Sequence, residues 1–249
     1  MESKNKSWIN TLIIGLCVII SCIAIAFGFY HFKSDSNQHI TATGSASVDF
    51  EADTVIWRGC FSQSAYTPQE AYNKIKEDSS RVKAYLTDNG IKKDEIVFNS
   101  VDISRTYTEQ YNDEGDYVGS VADGYELRQE FEVSSKDIDN IEKVSREISS
   151  LLDDGVELES YSPEYYYSKL DELKLNLIDK ASKNAKERID IIAKNSGAKI
   201  GKLKNSNLGV FQITAQNSGT SDYSYDGAFD THSRNKTASI TVHLEYGIK

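Results

Sequence analysis

The chain is poor in the residues that most often form crosslinks or carry chemistry. Its 249 residues include three cysteines, two prolines and four histidines. Cys17 and Cys22 lie in an apolar run, so Cys60 is left without a second thiol for an internal disulfide. The sequence also lacks the GxSxG, HExxH, CxxC, GxGxxG and P-loop motifs. We therefore expect a protein that is stabilised by its core and is not an enzyme, without catalytic, cofactor-binding or metal-binding residues.

Positive charge is scarce as well. The chain has 28 Lys and Arg residues against 38 Asp and Glu residues, which gives a formal net charge of −10. Such an acidic surface repels phosphate backbones, so the composition predicts no nucleic-acid partner. Anionic lipid headgroups are disfavoured as partners for the same reason.

One long apolar segment stands near the N-terminus. Residues 11–32 contain no Asp, Glu, Lys or Arg, and as a helix they would reach about 33 Å, enough to cross a hydrocarbon core of about 30 Å. Lys4 and Lys6 precede this run. We predict a short cytoplasmic N-terminus at residues 1–10, a signal anchor at 11–32, a linker at 33–39 and an extracytoplasmic body.

Cleavage is the alternative fate of this segment. Ala24 and Ala26 resemble a small-x-small cleavage site, which would leave a secreted protein instead of an anchored one. The body would then lie in the periplasm or outside a single membrane without its anchor. The apolar stretch continues beyond Ala26, which favours retention.

The body, residues 40–249, alternates between strand and helix patterns. The predicted order is ββαββαβαββ, which indicates an α+β fold with antiparallel or mixed sheets and helices packed on one side, as one domain or two subdomains. The predicted strands cover residues 40–64 (as two strands), 94–111, 117–133, 156–167, 200–215 and 237–246. The predicted helices begin at Pro68, after Ser135 and at about Lys169, and they are followed by Gly90, Gly155 and Gly197.

The apolar stripes of two helices are predicted in detail. Ile138, Ile141, Val144, Ile148 and Leu151 form the stripe of the second helix, which Ser135 is expected to cap. The stripe of the third helix runs from Leu170 to Ile192 and has small residues, including Ala181 and Ala185, in its middle. These small residues would let another backbone approach closely.

Four features have competing structural and functional interpretations. Cys60 alternates within a strand and is interpreted as a buried structural thiol, with a reactive or intermolecular thiol as the alternative. Residues 112–116 are interpreted as a hairpin turn, with calcium binding as the alternative. Residues 165–167, three tyrosines, suit a core edge or subunit interface, or else a sugar-stacking surface. The polar loop 217–236, which holds Tyr223, is either a solvated tip or a segment that orders on a neighbouring subunit.

The order of these elements and their punctuation resemble the SIMPL domain family, also called DUF541, which includes the YggE-like proteins and the periplasmic immunogenic proteins of bacteria. The resemblance covers residues 40–246. It rests on the order and spacing of positions that are not chemically specific: Ile40, Gly44, Val48, Asp53, Val55 and Trp57 in the first strand pair; Gly90, Ile91, Glu95 and Ile96; Gly124, Tyr125 and residues 131–133; Ala181, Ala185, Ala193 and Gly197; residues 200–203; and Ala238, Val242 and Tyr246. Ala52 stands where the family commonly has proline.

The resemblance implies an extracytoplasmic, self-associating protein without an established catalytic mechanism. It also implies a link with envelope or oxidative-stress protection. We therefore expect a homo-oligomer that acts by assembly and binding. A carbohydrate- or peptide-binding module of the cell envelope is the alternative function, and a hydrolase with a dispersed site is the third.

Overall fold

The computed structural model describes residues 12–28, 38–219 and 222–249. The chain divides into two compact units. Unit 1 comprises Met1–Ala46, Leu175–Val210 and Ile240–Lys249, and unit 2 comprises Ser47–Lys174 and Phe211–Ser239. Because the first and last strands contribute residues to both units, the division does not follow the order of the sequence.

Among the described residues from position 38 onward, ten strands and three α-helices confirm the predicted α+β class with antiparallel sheets. The strands are β1 (His39–Glu51), β2 (Thr54–Ala65), β3 (Ile96–Phe98), β4 (Asp102–Tyr111), β5 (Tyr117–Ser135), β6 (Glu157–Ser160), β7 (Glu164–Tyr166), β8 (Ile200–Leu208), β9 (Gln212–Ala215) and β10 (Asn235–Ile248). The helices are α1 (Pro68–Asp88), α2 (Ile138–Glu147) and α3 (Leu170–Ser196), with 3-10 turns at Lys93–Glu95 and Ile148–Leu152.

Unit 2 is built on a six-stranded sheet of order β3-β5-β2-β6, in which β4 also pairs with β5 and β7 also pairs with β2. Alternate residues of β2 and β5 face the core. These include Trp57, Phe61 and Phe131, and the rings of Trp57 and Phe131 meet edge to face at 5.3 Å. Helices α1 and α2 complete the same core, so both helices cover one face of the sheet.

The two helices of unit 2 form where the sequence predicts. Helix α1 begins at Pro68, where a missing amide donor costs nothing, and the Thr67 side chain caps it by accepting from the Glu70 amide. The five predicted stripe residues between Ile138 and Leu151 are all buried. Glycine at position 90 follows α1 with φ of 87°, a left-handed conformation that costs glycine little.

In unit 1, β8 pairs antiparallel with residues 242–248 of β10. Helix α3 presents a buried stripe that includes Ala181, Ala185 and Ile189. A Cβ atom at Gly44 of β1 would lie 2.3 Å from the Ala181 carbonyl oxygen and 2.3 Å from the Ala185 amide nitrogen. The predicted close approach of another backbone to the small residues of this helix is therefore confirmed.

Five details of the sequence prediction are wrong. The predicted strand 200–215 is two strands, β8 and β9, with residues 209–211 between them. The predicted strand 94–111 is two strands, because Lys93–Glu95 forms a 3-10 turn and residues 99–101 interrupt the pairing. The predicted strand 156–167 is also two strands, β6 and β7, since Pro163 between them has no amide hydrogen for the ladder. The third helix buries Ala193, whereas Ile192 of the predicted stripe is exposed.

The second helix is capped by a residue other than the predicted one. The Asp137 side chain accepts the Asn140 amide at 3.2 Å and is the N-cap of α2. The Ser135 hydroxyl instead donates to Glu95 Oε1 at 2.8 Å and accepts the Asp137 amide at 3.1 Å. Ser135 therefore joins the 3-10 turn to the start of the helix. The local sequence pattern does not indicate this tertiary contact.

Residues 12–28 form an α-helix within the predicted anchor. The remaining positions of that anchor, 11 and 29–32, lie outside the described residues, as do residues 1–10 and most of the predicted linker. Over the part of the chain that the structure describes, no helix meets the length and apolarity needed to cross a membrane.

Candidate interaction surface

A two-stranded ribbon is the most exposed part of unit 2. We define the ribbon as residues 102–124, that is, β4, the turn after it and the first eight residues of β5. Residues 125–135 of β5 pair with residues 55–65 of β2. Residues 117–124 lie beyond that pairing and, among the described strands, have β4 as their partner.

The tip of the ribbon is a hairpin turn, as predicted. The Asn112 side-chain oxygen accepts the amides of Glu114 and Asp116 at 3.0 and 2.8 Å. Gly115 has φ of 85°, which glycine adopts at little cost. Because these backbone contacts fix the turn, the carboxylates of Asp113, Glu114 and Asp116 remain on an exposed tip.

The ribbon exposes large apolar side chains along most of its length. Between 51 and 60% of the surface of each remains accessible, and the group consists of Ile103, Tyr107, Tyr111, Tyr117, Val118 and Val121. Isolated apolar residues are normal on a protein surface, but a contiguous set marks an interaction site. Tyrosine in particular is enriched where proteins bind one another.

The tyrosines share one face because the strand pairing places them there. Tyr111 is opposite Tyr117, Tyr107 is opposite Ala122, and Ile103 is opposite the buried Leu127. Cross-strand partners lie on the same side of a sheet. The aromatic face of the ribbon therefore continues the core-facing side of the six-stranded sheet into a region that α1 and α2 do not bury.

Ring contacts hold these side chains in place. The rings of Tyr111 and Tyr117 lie 6.0 Å apart at 71°, and the Arg105 guanidinium lies 5.6 Å above the Tyr125 ring. The Tyr111 hydroxyl donates to Glu109 at 2.5 Å, and this hydrogen bond raises the pKa of Tyr111. The aromatic face is thus preorganised, which lowers the entropic cost of binding.

The root of the ribbon is fixed by a β-bulge and a glycine. The register shifts between Thr106 and Tyr107, so Asp123 is the extra residue, and hydrogen bonds from Thr108 and Thr106 lower the pKa of Asp123. A Cβ atom at Gly124 would lie 2.8 Å from the Ala65 carbonyl oxygen. An open cleft of about 480 Å³, lined in part by Tyr66, Lys74 and Asp123, adjoins this joint.

The tyrosines for which the sequence suggested a sugar-stacking surface, residues 165–167, lie outside the ribbon. The hydroxyls of Tyr165 and Tyr166 already have hydrogen-bond partners. Tyr165 is half-buried against the core and its hydroxyl donates to Glu142 at 3.0 Å, while the Tyr166 hydroxyl donates to Glu164 at 3.1 Å. Burial, together with the Glu142 hydrogen bond, raises the pKa of Tyr165 to about 12. These contacts support the core-edge interpretation of residues 165–167 over the sugar-stacking one.

Cys60 is buried, as predicted, and burial raises the pKa of its thiol. A raised pKa keeps the thiol protonated near neutral pH, and the thiolate is the reactive form. Within the described ranges, no group of three or more His, Cys, Asp or Glu residues could hold a metal ion.

The described part of loop 217–236 is fastened to its own unit. The side chain of the buried Gln212 donates to the Ser224 carbonyl and accepts the amides of Ser224 and Ala228 at 2.7, 3.1 and 2.8 Å. Lys236 is 2% exposed and its ammonium donates to the carbonyls of Tyr165 and Asp230. Desolvation lowers the pKa of Lys236 despite the attraction of Asp230. The described loop residues are thus ordered by contacts within one copy.

The antiparallel sheets, the helix pair on one sheet and the exposed ribbon define an α+β protein with a prominent exposed aromatic surface. The family model described as SIMPL, protein of unknown function (DUF541), matches residues 40–246, and the chain belongs to this family. The resemblance on residues 40–246 is thereby confirmed. No curated protein matches the chain.

The sequence predicts the ribbon as a hairpin, but its pattern does not reveal that the tyrosines are exposed. A signal was present in the strand lengths, since β5 has 19 residues and β2 has 12. Because β5 is longer than its neighbour β2, part of β5 has, among the described strands, a pairing partner on one side alone. Tyr107 and Tyr111 alternate with polar residues in β4, so alternation alone would have assigned them to a buried face.

Proposed function

We propose that this SIMPL protein is anchored in a membrane, lies mostly outside the cytoplasm and acts without catalysis, through self-assembly and binding. The exposed aromatic face of the ribbon is the single observation that carries the self-assembly. An isolated two-stranded ribbon is marginally stable in water, and a long ribbon with accessible aromatic side chains gains stability when a partner covers it.

Anchoring rests on the sequence. The uncharged run at residues 11–32 is long enough to cross a bilayer as one helix, and Lys4 and Lys6 favour a cytoplasmic N-terminus. The body would face the periplasm or the outside of a single membrane. A role in envelope or oxidative-stress protection is proposed from the family resemblance.

The proposal that the protein is not an enzyme rests on the missing motifs and on the chemistry of its buried groups. Cys60 has a raised pKa and is buried, which makes it a poor nucleophile. Activity of the purified chain against ester, peptide or glycoside panels, lost on mutation of a specific residue, would revive the hydrolase hypothesis.

The self-assembly is tested on the full chain in detergent by light scattering coupled to size exclusion. We expect a discrete multimer, and we expect the variant Tyr107→Ser/Tyr111→Ser/Tyr117→Ser to shift the mass toward the monomer. Each substitution removes apolar area that is exposed to water in the monomer. It should therefore weaken association and leave the free energy of unfolding nearly unchanged. Circular dichroism checks that the variant keeps its secondary structure.

A matched control replaces three exposed apolar side chains outside the ribbon: Tyr72→Ser, Leu152→Ser and Leu175→Ser. This control should keep the mass of the wild type. A wild-type chain that is monomeric at every accessible concentration would contradict the self-assembly.

A second function, binding of an envelope carbohydrate or peptide, is favoured by one loop side chain. Tyr225 is 95% exposed on a loop that Gln212 fastens, so an aromatic ring is held in solvent by a fixed backbone. Such rings stack on apolar sugar faces. Peptidoglycan pull-down by the wild type that is equal for Tyr225→Ser would remove this support.

A further inference from the structure

Charge is divided unequally between the two units. Unit 2 has 16 Lys and Arg residues against 32 Asp and Glu residues, a net charge of −16. The described residues of unit 1 have nine Lys and Arg residues against four Asp and Glu residues, a net charge of +5. The acidic average of the whole chain therefore conceals a basic unit, which the composition alone does not reveal.

The ribbon is among the acidic parts of unit 2. Residues 102–124 contain six carboxylates and one basic residue, Arg105. Three of the carboxylates, Asp113, Glu114 and Asp116, are exposed at the tip beside the aromatic pair of Tyr111 and Tyr117. Two ribbons that met face to face would bring like charges together, which disfavours a symmetric ribbon-to-ribbon contact.

The strongest basic surface of unit 1 is the turn between α3 and β8. We call residues 194–204 the basic turn: they include Lys194, Lys199, Lys202 and Lys204, all exposed, and no Asp or Glu. The Lys249 amide donates to the Lys199 carbonyl at 2.8 Å, which adds a fifth lysine to this surface.

Apolar side chains lie among these lysines, as they do among the carboxylates of the ribbon. Leu203, in the basic turn, and Ile191, in the penultimate turn of α3, are each at least half exposed. Moreover, β8 stands at the end of its sheet, with β10 as its partner among the described strands. Lysines on an edge strand discourage indiscriminate pairing and leave pairing with an acidic partner favourable.

We propose that the ribbon of one copy docks on the basic turn of a second copy. The inference rests on the proposed self-assembly and names the surfaces that carry it. Each copy then offers one acidic and one basic surface, and a contact between unlike surfaces repeats from copy to copy until it closes a ring or extends a filament. This contact neutralises the negative charge of the ribbon and the positive charge of the basic turn, and it covers the aromatic face. Anionic lipid would neutralise the basic turn alone.

The test is a charge exchange in the full chain, again in detergent with light scattering. The acidic variant is Asp113→Lys/Glu114→Lys/Asp116→Lys, and the basic variant is Lys194→Glu/Lys199→Glu/Lys202→Glu. We expect each variant alone to raise the concentration at half-dissociation about tenfold or more, since three attractions become repulsions. The variant that combines all six changes should return it toward the wild-type value.

Two further measurements sharpen the result. The matched control Asp153→Lys/Asp154→Lys/Glu157→Lys reverses three exposed carboxylates of unit 2 outside the ribbon and should leave the mass unchanged. Raising the salt from about 0.05 to about 0.5 M should weaken the wild-type assembly, because exposed charges are screened.

The outcomes distinguish the docking of the ribbon on the basic turn from self-assembly in general. A monomeric wild type would overturn both. A multimer that withstands both triple variants would overturn the docking and leave self-assembly in place. A basic variant that dissociates but is not rescued by the acidic changes would show that the basic turn binds another partner, such as anionic lipid, and would also overturn the docking.

Discussion

Strand β5 has two parts with different surroundings. Residues 125–135 lie beside β2, and helices α1 and α2 cover their apolar side, so Leu127, Phe131 and Val133 are at most 3% exposed. Residues 117–124 have β4 as a partner, and Tyr117 and Ala122, on the same side as the core-facing residues, stay accessible. Burial in this strand is therefore decided by the elements that fold over it and not by its own pattern.

The largest expected effect comes from a cavity in the covered part of β5. Phe131→Ala removes a ring that packs on Trp57 and Phe98, and we expect it to lower the free energy of unfolding by about 3–5 kcal/mol. Val121→Ala, in the ribbon, should change it by less than about 0.5 kcal/mol because no cavity forms. Pulse proteolysis in urea, at a concentration where the chain is monomeric, measures both values.

Equal losses of unfolding free energy in these two variants would contradict the difference between the two parts of β5, since they would mean that the ribbon is as tightly packed as the core. A large effect of Val121→Ala that disappears on dilution would instead place the missing contact in a second copy. The dilution series therefore separates packing within one chain from packing between chains.

A smaller effect is expected where the two parts of β5 join. Gly124→Ala would place a Cβ atom 2.8 Å from the Ala65 carbonyl oxygen, a backbone atom that can move only with β2. Overpacking of this kind costs about 1–3 kcal/mol. The nearby exposed change Ala122→Val is the control and should be close to neutral in the same assay. A neutral Gly124→Ala would show that the ribbon moves freely at its root.

The smallest effect is expected at Asp53, next to the covered end of β2. Its carboxylate accepts the Ser168 amide and hydroxyl at 2.8 and 2.5 Å and the Thr54 hydroxyl at 3.0 Å. Burial raises the pKa of Asp53, but these hydrogen bonds together lower it below its usual value. We expect Asp53→Asn to cost roughly 1 kcal/mol at neutral pH.

The pH dependence of this effect has a definite sign. A carboxyl group with a lowered folded-state pKa stabilises the fold above the unfolded-state value, here 3.8, and this stability is lost as the pH falls further. The difference between wild type and Asp53→Asn should therefore shrink below about pH 4. A constant difference from pH 7 to pH 3 would assign the effect to shape and not to charge.

The elements that local physics governs could be predicted. The start of α1 at Pro68, its stop before Gly90 and the hairpin turn at 112–116 depend on residues within a few positions of each other. The buried alternation of Val242 and Leu244 in β10 also follows from the period of a strand. The burial of Cys60 does not follow from it, because Trp57 and Phe61 of the same strand face the core on the other side. The choice of Asp137 over Ser135 as a cap could not be predicted, because Ser135 is held by Glu95, 40 positions away.

The sequence by itself determined the α+β class, the main helices, the family and the uncharged segment at 11–32, because periodicity, capping and composition act over short distances. Tertiary structure decided which alternating residues are covered, and it divided the charge between two units. It also holds the described part of loop 217–236 through hydrogen bonds to Gln212. The basic unit joins segments that are far apart in the chain, Leu175–Val210 and Ile240–Lys249, so its charge emerges when the fold brings them together.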